Sequence, residues 1–170
     1  MIQARSNIIL IGMAGCGKST VGRMLAEMLN RSFVDTDALI VQARRKPLQD
    51  IVEQEGVMGF RRIEEEILLG LKVKNHVIAT GGSSVYSTPG MDHLKKIGVV
   101  ILLQVRLDVL RKRVGNTSGR GLVKQPGQSF EDLFTERRSL YERYAEIIIE
   151  CSDLSHEQVC KAVAGRLARF

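Results

Sequence analysis

The residues best suited to chemistry begin with Gly12-Met13-Ala14-Gly15-Cys16-Gly17-Lys18-Ser19, which fits the pattern GxxxxGKS/T. In such a loop the glycines let successive backbone N–H groups wrap a phosphate. A following helix N-terminus adds positive potential, Lys18 reaches the terminal phosphates, and Ser19 can ligate magnesium. Gly12, Gly15, Cys16, Gly17, Lys18, Ser19 and Thr20 are the candidate nucleotide-binding set, with Cys16 a small loop filler rather than a reactive thiol. A glycine turn before an ordinary amphipathic helix would use the same residues without a ligand.

Asp35 and Asp37 have the i, i+2 spacing that sends both side chains to one side of an extended chain. Near a phosphate site two carboxylates divide the work, one holding hydrated magnesium and the other orienting or deprotonating a hydroxyl. Helix capping by Asp37 ahead of Ala38 is the structural alternative, and the two roles are compatible. Arg137 falls four residues after Leu133 and three before Leu140, interrupting an otherwise apolar helix face. Its guanidinium wants an anion, either a ligand carboxylate held bidentately or a structural Glu. Arg61 faces the same choice, with Glu64 and Glu65 one helical turn on.

Periodicity supplies the elements that must position these side chains. Asn7 to Ile11 is a short apolar run ending in Gly12, and Val21, Met24, Leu25, Met28 and Leu29 have helical spacing. The phosphate loop therefore lies between a strand and a helix. Ser32 to Asp35 reads as a second strand, with the two aspartates at its end. A helical region from Ala38 to Glu55, interrupted at Pro47, precedes a further helix carrying Phe60, Ile63, Ile67 and Leu71. His76 to Ala79 is a strand running into Gly81-Gly82, Pro89 opens a short helix ending near Gly98, and Val99 to Val105 is a strand. The helix from Leu107 to Val114 breaks at Gly115, and residues 115–127, rich in glycine and poor in periodicity, are the candidate mobile lid. A helix from Phe130 to Ala145, a strand from Ile147 to Cys151 and a helix from Glu157 to Arg169 complete the alternation. Strands alternating with helices predict an α/β fold of three layers. Its parallel sheet is covered on both faces and binds ligands beyond the carboxyl ends of its strands.

Composition narrows the setting. At 170 residues, 44% hydrophobic and 26% charged, the chain suits a single domain spanning 1–170. No apolar run approaches the roughly 20 residues of a membrane span, and the opening Met-Ile-Gln-Ala-Arg lacks the apolar core of a signal peptide. A cytoplasmic address without a membrane partner is expected. Cys16, Cys151 and Cys160 form no CxxC pair and are expected as reduced thiols, while His76, His93 and His156 are isolated and make no metal cluster. The net charge of +6 suits an anionic partner. Between Arg106 and Lys124 six basic residues stand against Asp108 alone, as for a cover over a triphosphate. No aromatic is interleaved with them to stack bases, which argues against nucleic acid. A GTPase would carry a guanine-reading NKxD segment, which is absent. A translocase core needs a longer chain with an acidic pair closing an apolar strand, whereas Val77 to Ala79 runs into Thr80 and two glycines. A small-molecule kinase remains.

In this order GMAGCGKST, DTD, FRRIEE, ATGGS, the arginine of RGL and ERRSLY resemble the shikimate kinase family, from about residue 7 to the C-terminus. The resemblance implies a nucleoside-monophosphate-kinase-like P-loop fold with a five-stranded parallel sheet of order 2-3-1-4-5. It also implies ATP, Mg2+, a lid that closes over ATP, and phosphate transfer to the 3-hydroxyl of shikimate. By the same resemblance Lys18, Asp37 and Arg120 are catalytic, and Ser19 and Asp35 stand at magnesium. Asp37 meets the substrate hydroxyl, Arg61 and Arg137 grip the substrate carboxylate, and Gly81 and Gly82 pass against the substrate ring. Arg113 resembles the arginine that stacks on adenine, and Arg120 the lid arginine that reaches both phosphate and substrate. The acceptor-binding segment is about 37–65 and the lid about 115–127; a monomer is expected.

The chain departs from the family pattern at the acceptor side and the lid. Ser83 stands where a third consecutive glycine is usual, Gly121 follows the lid arginine in place of Pro, Ser139 replaces another Pro, and Arg138 adds a cation beside Arg137. These positions make the acceptor the open question. A sibling hydroxy-acid kinase acting on gluconate is one alternative, and a nucleotide-binding regulatory module without catalysis is another.

Overall fold

The computed structural model describes residues 5–115 and 122–170. The central strand β1 (Asn7–Ile11) pairs in parallel with β3 (His76–Ala79) on one side and with β4 (Gly98–Gln104) on the other. β2 (Ser32–Asp35) flanks β3 and β5 (Ile147–Glu150) flanks β4, giving the all-parallel order β2-β3-β1-β4-β5. This is the expected fold, and each strand lies within a residue of its predicted limits. Every residue of β1 is buried, the state suited to its almost wholly apolar run, and the amide of its one polar residue, Asn7, donates to Val73 O and Ile97 O.

The helices are α1 (Lys18–Met28), α2 (Thr36–Arg44), α3 (Leu48–Leu69), α4 (Thr88–Ile97), α5 (Leu107–Gly115), α6 (Phe130–Tyr144) and α7 (His156–Leu167). Pro47 does divide α2 from α3. The helices expected before and after Glu55 are one run, kinked at Gly56, which takes φ 69° and ψ 175°. A kink at a glycine reorients the helix without ending it, so periodicity read in short windows makes it two. Ser129 and Asp132 close a reciprocal capping box on α6, which fixes where the helix that carries Arg137 begins.

The main core follows the sheet, with Ile9, Leu10, Ile78, Val100 and Ile101 fully buried within it. A smaller cluster of Ile40, Ile51, Phe60, Ile63 and Val123 sits beneath α2 and α3 and anchors those helices to each other. No helix among the described residues is long and apolar enough to cross a membrane. Arg120 and Gly121, with the rest of 116–121 in the expected lid, lie outside the described residues.

Candidate active site

The phosphate loop leaves the carboxyl end of β1 and enters α1 through Gly17, whose φ of 100° is left-handed and favours glycine. Gly17 provides no side-chain cap, and the first turn of α1 holds no acid. The turn's N–H groups therefore keep their capacity for an anion. Lys18 is buried, and its ammonium donates to Gly12 O at 2.7 Å and Met13 O at 2.9 Å, with Cys16 Sγ at 3.7 Å. Two carbonyls thus aim the cation along the loop. Gly12 and Cys16 are buried beneath the loop and shape it from below, while Gly15, Gly17, Lys18, Ser19 and Thr20 line the cleft. Arg113 donates to Gly15 O at 3.2 Å and lines the same cleft, tying α5 to the loop.

Ser19 Oγ donates to Asp35 Oδ2 at 2.6 Å, so the two residues expected at magnesium are in contact. Asp35 Oδ1 accepts from the backbone N–H of Asp37 at 3.0 Å and of Ala38 at 3.3 Å. Asp35, not Asp37, is therefore the cap of α2. The helix starts at Thr36, which puts Asp37 inside its first turn and leaves its carboxylate to the cleft. Burial, then the charge of Asp35, pushes Asp37 up to about 6 against the pull of Lys18.

The Gly81-Gly82 turn is pinned from several sides. Gly81 N–H donates to Thr36 Oγ1 at 3.1 Å, Ser84 Oγ donates to Gly81 O at 2.8 Å, and Tyr141 OH donates to Gly82 O at 2.6 Å. A Cβ on Gly81 would sit 2.5 Å from Glu64 Oε1 and 2.6 Å from Asp37 Oδ1, and one on Gly82 would sit 2.9 Å from an Arg137 nitrogen. Only glycine lets this turn pass between two carboxylates and a guanidinium.

Arg137 is 1% exposed yet makes no ion pair among the described residues; its Nη2 donates to Val123 O and its Nε has no partner. Arg61 also makes no ion pair among them. Its Nε is buried without a partner, and its guanidinium stacks 3.6 Å from the centroid of the Tyr86 ring. Neither of the structural Glu pairings open to Arg61 forms: Glu64 Oε2 accepts from Ser83 Oγ while its Oε1 has no partner, and Glu65 accepts from Ser87 Oγ. Arg137 lines the cleft, whereas Arg61 stands beside it. Burial pushes Glu64 up to about 8, with the Ser83 hydrogen bond drawing it down, Asp37 raising it, and Arg137 and Arg61 lowering it.

The departures in sequence resolve into specific contacts. Ser83 has φ −92° and ψ −1°, open to any residue, and its side chain turns to Glu64. Arg138 is exposed and pairs with Glu142 at 3.0 Å, away from the acceptor side. Ser139 donates to Glu136 O at 3.1 Å within an unbroken α6. Periodicity missed Glu64 as a site residue, reading it only as a partner for Arg61, and missed Tyr86 and His156. His156 enters the cleft because the start of α7 comes beside the loop, with Nε2 3.4 Å from where a Gly17 Cβ would sit.

A cleft of about 750 Å³ opens at the carboxyl ends of the strands, with phosphate-loop residues at one end and Asp37, Gly81, Gly82 and Arg137 at the other. A separate apolar cleft of about 350 Å³ beside Leu103, Leu107 and Phe134 shares none of that lining. Its two arginines, Arg106 and Arg138, are already paired with acids.

Comparison with known proteins agrees with this arrangement. The shikimate kinase family model matches residues 14–168. The chain is 37% identical over 160 residues to a shikimate kinase of Caldanaerobacter subterraneus, covering 92% of this chain and 93% of that one. Among solved structures, a shikimate kinase from Acinetobacter baumannii in complex with shikimate superposes with a TM-score of 0.90 at 32% identity, covering 99% and 96% of the two chains. The Aquifex aeolicus shikimate kinase gives 0.82 at 31% identity, covering 95% and 96%. With a likeness of this degree carried from the phosphate loop almost to its last residue, the chain belongs to the shikimate kinase family.

Proposed function

We propose that this protein transfers the γ-phosphate of ATP to the 3-hydroxyl of shikimate. The observation that carries the reading is the opening of the phosphate loop, Asp37 and Arg137 onto one cleft. Lys18 and the N–H groups of the first turn of α1 hold the phosphates and neutralise charge on the transferred group. Ser19 and Asp35, hard oxygen donors 2.6 Å apart, fit a magnesium ion and would be the residues that hold it. Bound there, the ion would supply positive charge to the phosphate oxygens.

Asp37 does the proton work. Pushed up to about 6, it is mostly ionised at neutral pH yet basic enough to accept a hydroxyl proton. As that proton passes to Asp37, the shikimate oxygen bonds to the γ-phosphorus, the bond to the β-phosphate bridging oxygen breaks, and ADP leaves with the electron pair. Arg137 meets the carboxylate at the far end of the acceptor, with Arg61 behind it, and the Gly81-Gly82 turn passes the ring between them. Arg113 lies at the adenine end.

A coupled assay of ADP release with magnesium-ATP over shikimate, quinate, gluconate and homoserine tests the reading. Shikimate gives the highest kcat/KM. Faster turnover of another acid would make the acceptor-side departures a change of specificity, and ATP binding without turnover would make the protein a regulatory module.

A further inference from the structure

The buried Arg137 and the half-buried Arg61, neither with an ion pair among the described residues, need something else to hold them, and the five residues after Gly82 provide it. The Tyr86 ring lies 3.6 Å from the Arg61 guanidinium carbon and 5.5 Å from that of Arg137, so one aromatic side chain on the 3-10 turn Ser84–Tyr86 contacts arginines from both α3 and α6. Stacking uses the face of a guanidinium and leaves its N–H edge free, whereas an acid would consume that edge. The nearby acids are meanwhile engaged by neutral hydroxyls of the same segment. Ser83 donates to Glu64, Ser87 to Glu65, and Tyr86 OH to Glu136, whose other oxygen accepts from Gln128 at 3.0 Å. Glu136 is the residue adjoining Arg137 and its nearest competitor along the chain.

We propose that Tyr86 is a positioning residue for acceptor recognition: its ring stacks on the face of Arg61 and stands beside the Arg137 guanidinium, so that both arginines are held without a carboxylate partner and remain available to an acceptor carboxylate. The inference rests on the acceptor reading above and adds to it the device that keeps the arginine pair unneutralised. Nothing in the family pattern quoted earlier, which ends at ATGGS and resumes at the lid, includes this residue. Tyr86 does not line the cleft, so it acts through the arginines rather than on the substrate.

The test compares Tyr86→Leu with Tyr86→Phe, using shikimate and magnesium-ATP after thermal unfolding has shown both variants folded. Tyr86→Leu removes the ring and raises the KM for shikimate about 5- to 30-fold, the range set by a partly desolvated cation–π contact, with kcat and the KM for ATP within twofold. Tyr86→Phe keeps the ring and stays within about threefold of the parent, a limit corresponding to loss of one neutral hydrogen bond. Equal losses in the two variants would assign the effect to the hydroxyl and Glu136 and overturn the proposal. So would a Tyr86→Leu variant within twofold of the parent, or one that loses ATP as much as shikimate. A second arm needs no acceptor: the Arg61 side-chain resonances carry an upfield ring-current shift in the parent and in Tyr86→Phe that Tyr86→Leu lacks. Absence of that shift in the parent overturns the stack directly. Failure of the parent to use shikimate, with the shift present, instead overturns the acceptor reading; the kinetic arm is then decided with the hydroxy acid that it does phosphorylate.

Discussion

The two ends of the cleft are built in opposite ways. The phosphate end is a contiguous stretch, residues 12–19, whose recognition elements are mostly backbone and whose polar side chains already have partners: Lys18 on loop carbonyls and Ser19 on Asp35. The acceptor end gathers Asp37 from α2, Arg61 and Glu64 from α3, the turn after β3, and Arg137 from α6. Among the described residues the buried side-chain atoms without a hydrogen bond are Arg61 Nε, Glu64 Oε1 and Arg137 Nε, and all belong to the acceptor end. A buried polar group left unpaired costs about 1–3 kcal/mol. The phosphate end thus satisfies its polar side chains within the protein, whereas the other end keeps buried polar atoms unpaired, as the acceptor reading proposed above requires.

This contrast orders the expected effects of substitution. Asp37→Asn, which removes the proposed proton acceptor, lowers kcat about 10²- to 10⁴-fold, while ATP binding measured by calorimetry stays near the parent value. In the parent, kcat rises with pH through about 6 as Asp37 loses its proton, and the variant has no such rise. Lys18→Ala costs roughly 10²- to 10³-fold in turnover. Its shikimate affinity in the absence of nucleotide is unchanged, and a matching loss there would dissolve the division between the ends. Arg137→Ala should raise the KM for shikimate about 10- to 200-fold, the loss of one charged hydrogen bond, with little change in that for ATP. A loss confined to kcat would move Arg137 from binding to chemistry.

The smallest effect concerns stability. Glu64 is raised from 4.5 to about 8, so the folded state binds its proton more tightly than the unfolded state does. That contribution is fully present below about 4.5 and is lost as pH rises towards 8, which makes the parent less stable at pH 8 than at pH 6 by this term. Glu64→Gln, compared by urea unfolding at the two pH values, shows a shallower fall. Ser83→Ala removes a hydrogen bond that favours the ionised form, and moves the Glu64 titration followed by carbon NMR upward. An unmoved titration would show that Ser83 is a filler.

How much of this could be read from the residues follows the same division. The strand limits, the glycine loop and its helix depend on periodicity and on backbone needs that act within a few residues, so Asn7–Ile11 and His76–Ala79 lie where the apolar runs place them. The Ser19–Asp35 contact follows from the loop after β1 and the end of β2 lying at the same edge of the sheet, because parallel strands bring their carboxyl ends to one side. Spacing alone offers Asp37 as the cap where the helix uses Asp35, since only the position of the first helical hydrogen bonds tells the two apart. The kink at Gly56 was read as a helix end for the same local reason.

The sequence by itself determined the sheet, the phosphate loop, the two aspartates and the arginines to watch, since each is written in spacing along the chain. The tertiary structure alone decided that Glu64, Glu65 and Glu136 go to hydroxyls, that Arg61 and Arg137 share the Tyr86 ring, and that the Gly81-Gly82 turn runs between charges of both signs. The physical reason is the range of the interactions. Backbone hydrogen bonding and hydrophobic period act over one or two turns, whereas the partner of a buried charge is chosen by whichever side chain packing brings within about 3 to 4 Å, irrespective of its distance along the chain.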